Sequence, residues 1–483
     1  MTTPKTTTEE LSPSGLPVKP IPGSYGLPFF SSLRSRLDFY YFQGHHLFFS
    51  SRISRYSSTV FRVNMPPGPF LASNPRVVAV LDAHSFRILL DSSKVDKSDT
   101  LTGTYLPSLS LYAGFRPLAY LDTSEPRHTT LKNLIFALLA SRKSHFVSSF
   151  RDSFSSLFDK VDSGLASSGP VQVNELNESA SFDFMCEAFF GAKPSSAIGP
   201  NAHKMALKWL FFQLHPLVTV NVLPKFLEDL LLHTIHLPAF LVASDYKALT
   251  AFFSQSATQI LDQAQEMGLS RDEALHNIIF ATIFNAYGGV KIFLPVIFKW
   301  LAIAGPNLHA RLAREVRSVV RSDNGSLTPA GLDRMDLVKS VVWESLRMDP
   351  PVEYQYGRAR SDLVIESHDV AFRVKKGEMI FGYQPFATRD ERVFVNGQEF
   401  VADRFVGKEG KKLLRYVVWS NGAETDEPSV TNKQCPGKDM VVTVGRLLVA
   451  EIFLRYDTFT ADVGVLPLEP KITITSVNKA TDG

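Results

Sequence analysis

The sequence predicts a mainly α-helical fold with small β-sheets toward its two ends, closed as a single domain. Three observations predict it. Helical periodicity dominates from about residue 128 to 350, in runs such as "HKMALKWLFFQLH", "DYKALTAFFSQSATQILDQAQEMG" and "NLHARLAREVRSVVRS". β-branched runs bounded by turn residues gather before residue 82 and again after residue 360. The chain has 483 residues, of which 45% are hydrophobic and 20% charged, enough to bury one large core.

The elements follow in order. Residues 1–26, rich in Pro and Thr, read as a flexible lead, and 27–483 as the folded domain. The lead has no apolar run that could serve as a signal peptide. Its Thr and Ser content is that of a plastid transit peptide, but Glu9, Glu10 and the lack of arginine speak against one. Pro17, Pro20, Pro22, Phe29 and Phe30 suit a structured entry to the first strand, or contact with a membrane surface. "STVFRVNMPPGPFLAS" reads as a hairpin around its Pro-Pro-Gly-Pro turn, and "PRVVAVLD" as a further short helix or strand. "LSRDEALHNIIFATIFNAYGGVKIFLP" is a helix opened by a capping box of Ser270 and Glu273. "LVIES", "VAFRV" and "MIFGYQP" read as strands, "KDMVVTVGRLLVAEIFLRY" as an amphipathic helix and "EPKITITSV" as a last strand. No stretch is apolar over ~18 residues, so no spanning helix is expected.

The charge balance excludes some functions. Lys and Arg number 51 against 48 Asp and Glu, a net charge of +3, which calls for no nucleic-acid partner. The two cysteines, Cys186 and Cys435, cannot make a disulfide scaffold and fit a reducing compartment. Cys186, in "FDFMCEAFF", reads as a small core residue.

Cys435 is different. It sits in "TNKQCPGKDM", a polar, turn-forming loop just before a helix, where the helix dipole and free amides favour a thiolate. Such a thiolate serves as a nucleophile, a zinc ligand or a haem ligand. Zinc would need several Cys or His neighbours, and the nearby sequence has none. A second constellation bears on the choice. "WESLR" places Glu344 and Arg347 on one helix face, and "FVADRF" adds Arg404, a set able to lock a helix to a distant loop through bidentate ion pairs.

The order E-x-x-R, strands, x-R-F, then Cys-x-Gly before a helix resembles the cytochrome P-450 superfamily, in which a cysteine thiolate ligates haem iron. The usual haem loop, F-x-x-G-x-R-x-C-x-G, is altered here. Trp419 and Gly422 open it, residues 423–434 put twelve residues between Gly422 and Cys435 where three are usual, and Lys433 replaces the arginine. With these departures "WSNGAETDEPSVTNKQCPGKDMVV" resembles the plant cytochrome P-450 enzymes that rearrange fatty-acid hydroperoxides: hydroperoxide lyases, allene oxide synthases, divinyl ether synthases and epoxyalcohol synthases. The resemblance runs from "IPGSYGLPF" onward.

"FNAYGG" supports it independently. Two mid-helix glycines cost ~1 kcal/mol each relative to alanine, which points to tight packing or function. The acid–Thr pair with which monooxygenases of the superfamily deliver protons to dioxygen is missing beside Asn285 and Gly288. A substrate that already holds an O–O bond needs neither that relay nor a reductase, and Asn285 can hydrogen-bond a hydroperoxide.

The resemblance implies a cytochrome P-450 fold, haem b on Cys435, and haem contacts from Lys97, His128, Lys132 and Lys433, with Arg358 and Arg360 as lesser candidates. It implies Glu344, Arg347 and Arg404 as a structural ion-pair set, and Asn285 and Leu101 at the substrate, a 9- or 13-hydroperoxide of linoleic or linolenic acid. The O–O bond breaks homolytically, and the fate of the resulting carbon radical separates the activities. Leu101 occupies a position where allene oxide synthases typically carry Phe and lyases Leu. It therefore favours hydroperoxide lyase, giving an aldehyde and an oxo-acid, over the alternatives divinyl ether synthase and allene oxide synthase. A conventional haem monooxygenase and a non-enzymatic haem or lipid carrier are more distant readings. The expected location is cytoplasmic or peripheral at plastid or lipid membranes.

Overall fold

The computed structural model describes residues 10–481. Within them the chain divides into two compact units. One comprises the chain up to Leu106 with Asn221–Ile235 and Glu353–Val395; the other comprises Pro107–Val220, His236–Val352 and Asn396 onward. Both are assembled from separated stretches, so no single cut divides 27–483 into sequential domains.

The first unit carries two of the sheets. Val60–Asn64, Arg76–Val80, Met379–Tyr383, Tyr354–Ala359 and Val95–Asp96 lie side by side in that order. Val60–Asn64 pairs antiparallel with Arg76–Val80 and not with the "PFLAS" half of the expected hairpin. The Pro-rich segment lacks the backbone donors a ladder needs, so the partner strand begins only beyond it. The sheet packs on a ring-rich core of Phe39, Phe48, Phe49, Phe61 and Phe381. The second sheet joins Val18–Lys19, Ala371–Val374 and Leu363–Glu366. The lead thus contributes a strand, Val18 pairing parallel with Ala371; its residues 1–9 lie outside the described ones.

The second unit is helical, with one sheet made of Tyr456–Val465, Pro470–Lys479 and Val171–Gln172. Its axis is a continuous helix from Arg271 to Ala304 in three parts: α-helical Arg271–Ile279, a π-helical stretch Phe280–Tyr287, and α-helical Gly288–Ala304. Only half of the expected capping box forms. Ser270 Oγ accepts from the Glu273 amide at 3.2 Å, while the Glu273 carboxylate turns away to Arg127. Against expectation, this helix is long and apolar enough to cross a membrane by length and composition. Half of its most apolar window is buried within the protein, against Val173–Phe190, Asp336–Met348 and Lys438–Arg455.

Lys438–Arg455, the helix that follows Cys435, is buried almost all round and not on one face only. At Gly445 a Cβ would come within 2.9 Å of Phe293 and 3.0 Å of Val342, so glycine lets three helices meet there. This close packing fixes the start of the helix, and with it the Cys435 loop. Cys186 is fully buried and free, as is fitting for a small core residue.

Candidate functional site

The Cys435 loop is fastened at several points. The Cys435 amide donates to Ser420 O at 2.8 Å, and the Gln434 side chain donates to Ser420 Oγ and Ala423 O. Gly422 is required there, because a Cβ would sit 2.5 Å from the Gln434 amide carbon. Asn421 donates to Lys433 O at 3.0 Å. Residues 423–434, the lengthened stretch, are anchored by two further groups. Lys438 Nζ reaches back to Glu424 O at 3.0 Å and Asp426 O at 2.7 Å. Glu424 accepts from the indole N–H of Trp343 on one oxygen and of Trp419 on the other, both at 3.0 Å. Burial outweighs Lys438 and the two indoles, and pushes the Glu424 carboxyl up to about 7.

Cys435 itself is half-buried and free. It precedes the helix that starts at Lys438, where the Gly437 amide and Lys132 favour the thiolate. Burial is nonetheless the larger effect and raises the thiol above its ordinary value. The helix terminus thus favours the thiolate as expected, and desolvation of the anion opposes it.

His128, Lys132 and Lys433 gather beside this loop. Pro126–Ser141 begins a turn before His128 with proline at its first position and places His128 and Lys132 one turn apart, both buried. Lys132 Nζ donates to Asn432 O at 2.5 Å and Gln434 O at 2.9 Å. Lys433 Nζ donates to the carbonyls of Leu118, Ala119 and Leu121, the last at 2.7 Å. His128 Nδ1 is buried and has no hydrogen-bond partner. Burial, with Lys433 and Lys132 close by, pulls His128 down to about 4. Burial and Lys433 pull Lys132 down to about 7, and burial pulls Lys433 down to about 8, with Asp122 and Glu125 acting the other way. The lysines are held by backbone carbonyls, and among the described residues neither makes an ion pair.

The structure also brings Glu344, Arg347 and Arg404 together. Arg347 grips Glu344 through Nε and Nη2 at 2.7 and 2.8 Å, and Arg404 Nε reaches the same carboxylate at 2.9 Å. Both arginines extend to the backbone of 396–399, and the Val401 amide caps Glu344 at 2.8 Å. All three side chains are buried, so this is no solvated surface pair. It ties the Asp336–Met348 helix to the loop before the Cys435 segment.

Asn285 lies in the π-helical stretch of the long helix, exposed, and its side chain makes no hydrogen bond among the described residues. It is not a buried amide spent on backbone. π-helical turns often mark functional positions, because the extra residue re-aims side chains out of the ladder. Thr282, in the same stretch, is buried with an unpartnered hydroxyl.

The remaining predicted residues lie in the first unit. Lys97 is buried and donates to Gln355 at 3.2 Å. Leu101 is half-buried against Leu71, Ala72 and Tyr105. Arg358 and Arg360 donate to the carbonyls of Ser98 and Ser92, both at 3.0 Å. Sequence reasoning missed Glu424, Trp343, Gln434 and Lys438. The signal available was the acid placed just inside the insertion and the lysine that opens the next helix, but neither residue names its partner.

The family model described as Cytochrome P450 matches residues 74–474. "Allene oxide synthase 3" of Oryza sativa subsp. japonica is 57% identical, over 98% of this chain and 96% of its own. "Allene oxide synthase 1, chloroplastic" of Solanum lycopersicum is 51% identical, over 96% of this chain and 87% of its own. "Allene oxide synthase, chloroplastic" of Arabidopsis thaliana is 50% identical, over 96% and 90%.

Proposed function

Because the chain belongs to the cytochrome P450 family, in its branch of fatty-acid hydroperoxide-converting enzymes, we propose that it is an allene oxide synthase. In this reading it dehydrates a polyunsaturated fatty-acid hydroperoxide to an allene epoxide, with neither dioxygen nor a reductase. The observation that carries the reading is near end-to-end similarity, at 50–57% identity, to curated relatives bearing that name. Leu101 had favoured a lyase, and the alternative now has the better support. The physical reason is that Leu101 packs against Leu71, Ala72 and Tyr105, so its aliphatic character answers to local packing as much as to a radical.

The donor set fits haem. A porphyrin brings two propionates, and His128, Lys132 and Lys433, each pulled down chiefly by burial, with Lys433 also acting on the other two, are the basic groups that two buried carboxylates need. The unpartnered His128 Nδ1 is one further donor available to them when it carries the ring hydrogen. Cys435 would hold the iron, with Lys132, Lys433 and His128 about the propionates. When bound, the haem supplies homolytic cleavage of the substrate's O–O bond.

The chain's own residues then divide the remaining work. The Glu344–Arg347–Arg404 lock and the Glu424 anchor hold the ligand loop rigid. Asn285 offers an amide that orients the hydroperoxide without lending or taking a proton, which suits a reaction needing no proton relay to oxygen. The chloroplastic names of two relatives support a plastid location.

Incubating purified holoprotein with the 9- and 13-hydroperoxides of linoleic acid, without reductase or NADPH, tests the proposal. Ketols formed by hydrolysis of an allene oxide are expected. Short aldehydes would return the assignment to a lyase, and a divinyl ether to the third branch.

A further inference from the structure

A run of oxidisable side chains crosses the second unit. Tyr120 and Tyr112 bring their hydroxyls to 3.5 Å. The Tyr112 ring meets Trp209 edge-on, centroids 5.9 Å apart. Trp209 stacks on Tyr246 at 5.5 Å, and Tyr246 stacks on His276 at 5.6 Å. Tyr112, Tyr120 and Trp209 are buried, whereas Tyr246 and His276 are half-buried, so the run climbs from the interior toward solvent.

Its inner end adjoins the candidate site. Tyr120 lies in the segment 118–121, whose carbonyls hold Lys433 just before Cys435. Phe280, 5.5 Å from the Tyr112 ring and 5.6 Å from that of Tyr120, opens the π-helical stretch that carries Asn285.

Packing alone does not account for these residue types. The chain holds 37 Phe against 14 Tyr and 4 Trp, so its ordinary filler ring is phenylalanine. A buried phenol or indole costs free energy unless its polar atom is bonded. Here Trp209 donates to Leu111 O at 3.0 Å and Tyr112 to Gln213 Oε1 at 2.7 Å, while Tyr246 Oη lies 2.6 Å from His276 Nδ1. The partners differ in kind. A carbonyl or amide oxygen does not take up a proton, whereas a neutral imidazole does. Burial holds His276 below the ordinary imidazole value, with Asp272 acting the other way, so the ring is neutral at neutral pH. With its ring hydrogen on Nε2, Nδ1 accepts from the phenol. A phenol that loses an electron becomes a strong acid, so the electron leaves most easily where a base receives the proton. In this run that place is Tyr246, at the outer end.

The geometry points to Tyr246, Trp209, Tyr112 and Tyr120 as an electron path that carries a reducing equivalent inward to the haem, with His276 receiving the proton. The inference rests on the reading that Cys435 holds haem and that a hydroperoxide is cleaved there. Homolysis of the O–O bond leaves one oxidising equivalent at the haem, which is discharged when the substrate radical gives up its electron. A substrate radical that escapes strands that equivalent. One electron then passes from Tyr246 through Trp209, Tyr112 and Tyr120. It leaves a phenoxyl radical on Tyr246 and the phenol's proton on His276 Nδ1. The hydroxide derived from the peroxide departs as water with a solvent proton. A one-electron donor in solution, a thiol or an enediol such as ascorbate, restores the electron, and His276 returns the proton. The path spares the haem from oxidative bleaching.

Freeze-quenching the haem-loaded protein with excess linoleic acid 13-hydroperoxide, followed by electron paramagnetic resonance, tests it. A tyrosyl radical is expected in the wild type and lost in Tyr246→Phe, which removes one hydroxyl and keeps the ring. Haem absorbance should bleach after fewer turnovers in Tyr246→Phe and Trp209→Phe, while the initial kcat/KM stays at the wild-type value. Ascorbate should prolong turnover in the wild type and not in Tyr246→Phe. The haem spectrum before mixing reports folding; should Trp209→Phe lose it, Tyr246→Phe alone makes the comparison. Product formed with no protein radical in the wild type would overturn the inference and leave the proposed function standing. So would a radical and a bleaching rate that Tyr246→Phe leaves unchanged. A haem-loaded protein that leaves the hydroperoxide intact would overturn both.

Discussion

Replacing Glu424 with glutamine isolates what one buried carboxyl costs the Cys435 loop. The folded protein raises this carboxyl from an ordinary 4.5 to about 7, chiefly by burial. Between those two values the folded state keeps a proton that the unfolded chain has given up. Stability on this account is complete below pH 4.5 and declines as pH rises toward 7. At about 1.36 kcal/mol per unit, the loss is ~3 kcal/mol. Glutamine has the same shape but nothing to titrate. It can accept from only one of the two indoles, Trp343 or Trp419, which costs ~1 kcal/mol at every pH. The variant should therefore be the less stable protein at pH 5 and the more stable one at pH 8. Thermal unfolding of both holoproteins across that range measures it, all other titrating groups being common to the two. Midpoints that stay parallel from pH 5 to pH 8 would refute the reasoning. A crossing in the opposite sense would mean that Lys438 and the indoles, not burial, govern the group.

Other outcomes follow from the same geometry. Glu344→Gln, which leaves Arg347 and Arg404 buried without a counter-charge, should cost about 3–5 kcal/mol by thermal melting and lower haem content. Cys435→Ala should abolish the thiolate signature in the carbon-monoxide difference spectrum while far-UV circular dichroism stays unchanged. Lys132→Met should speed transfer of haem to apomyoglobin about ten-fold, the worth of one charge-assisted contact, and should also cost about 1–3 kcal/mol by thermal melting, because the Asn432 and Gln434 carbonyls lose their donor. Asn285→Ala should lower kcat/KM on the hydroperoxide roughly ten-fold with the haem spectrum intact, because its amide supports no protein contact.

Much of this protein was legible in the chain itself. Helical periodicity placed the helices between Pro126 and Met348, and the spacing of Glu344, Arg347, Arg404 and Cys435 placed the Cys435 loop after a locked helix, because periodicity and local order are written residue by residue. The exposure of Asn285 was not legible in the chain, since it depends on a π-helical turn that no local propensity specifies. The partner of Val60–Asn64 was misplaced because a proline-rich segment excludes ladder donors without telling where the next strand will lie. Tertiary structure alone decided three things. Burial, set by the whole fold, turned the Cys435 thiol and the Glu424 carboxyl upward against the helix terminus and the nearby cations. Packing buried Lys438–Arg455 all round, where its sequence promised one face. Long-range pairing of Arg36 with Asp229 buried a charge on each of the helices Phe30–Leu37 and Lys225–His233, because a buried charge takes its partner wherever the chain returns, and sequence distance does not record that return.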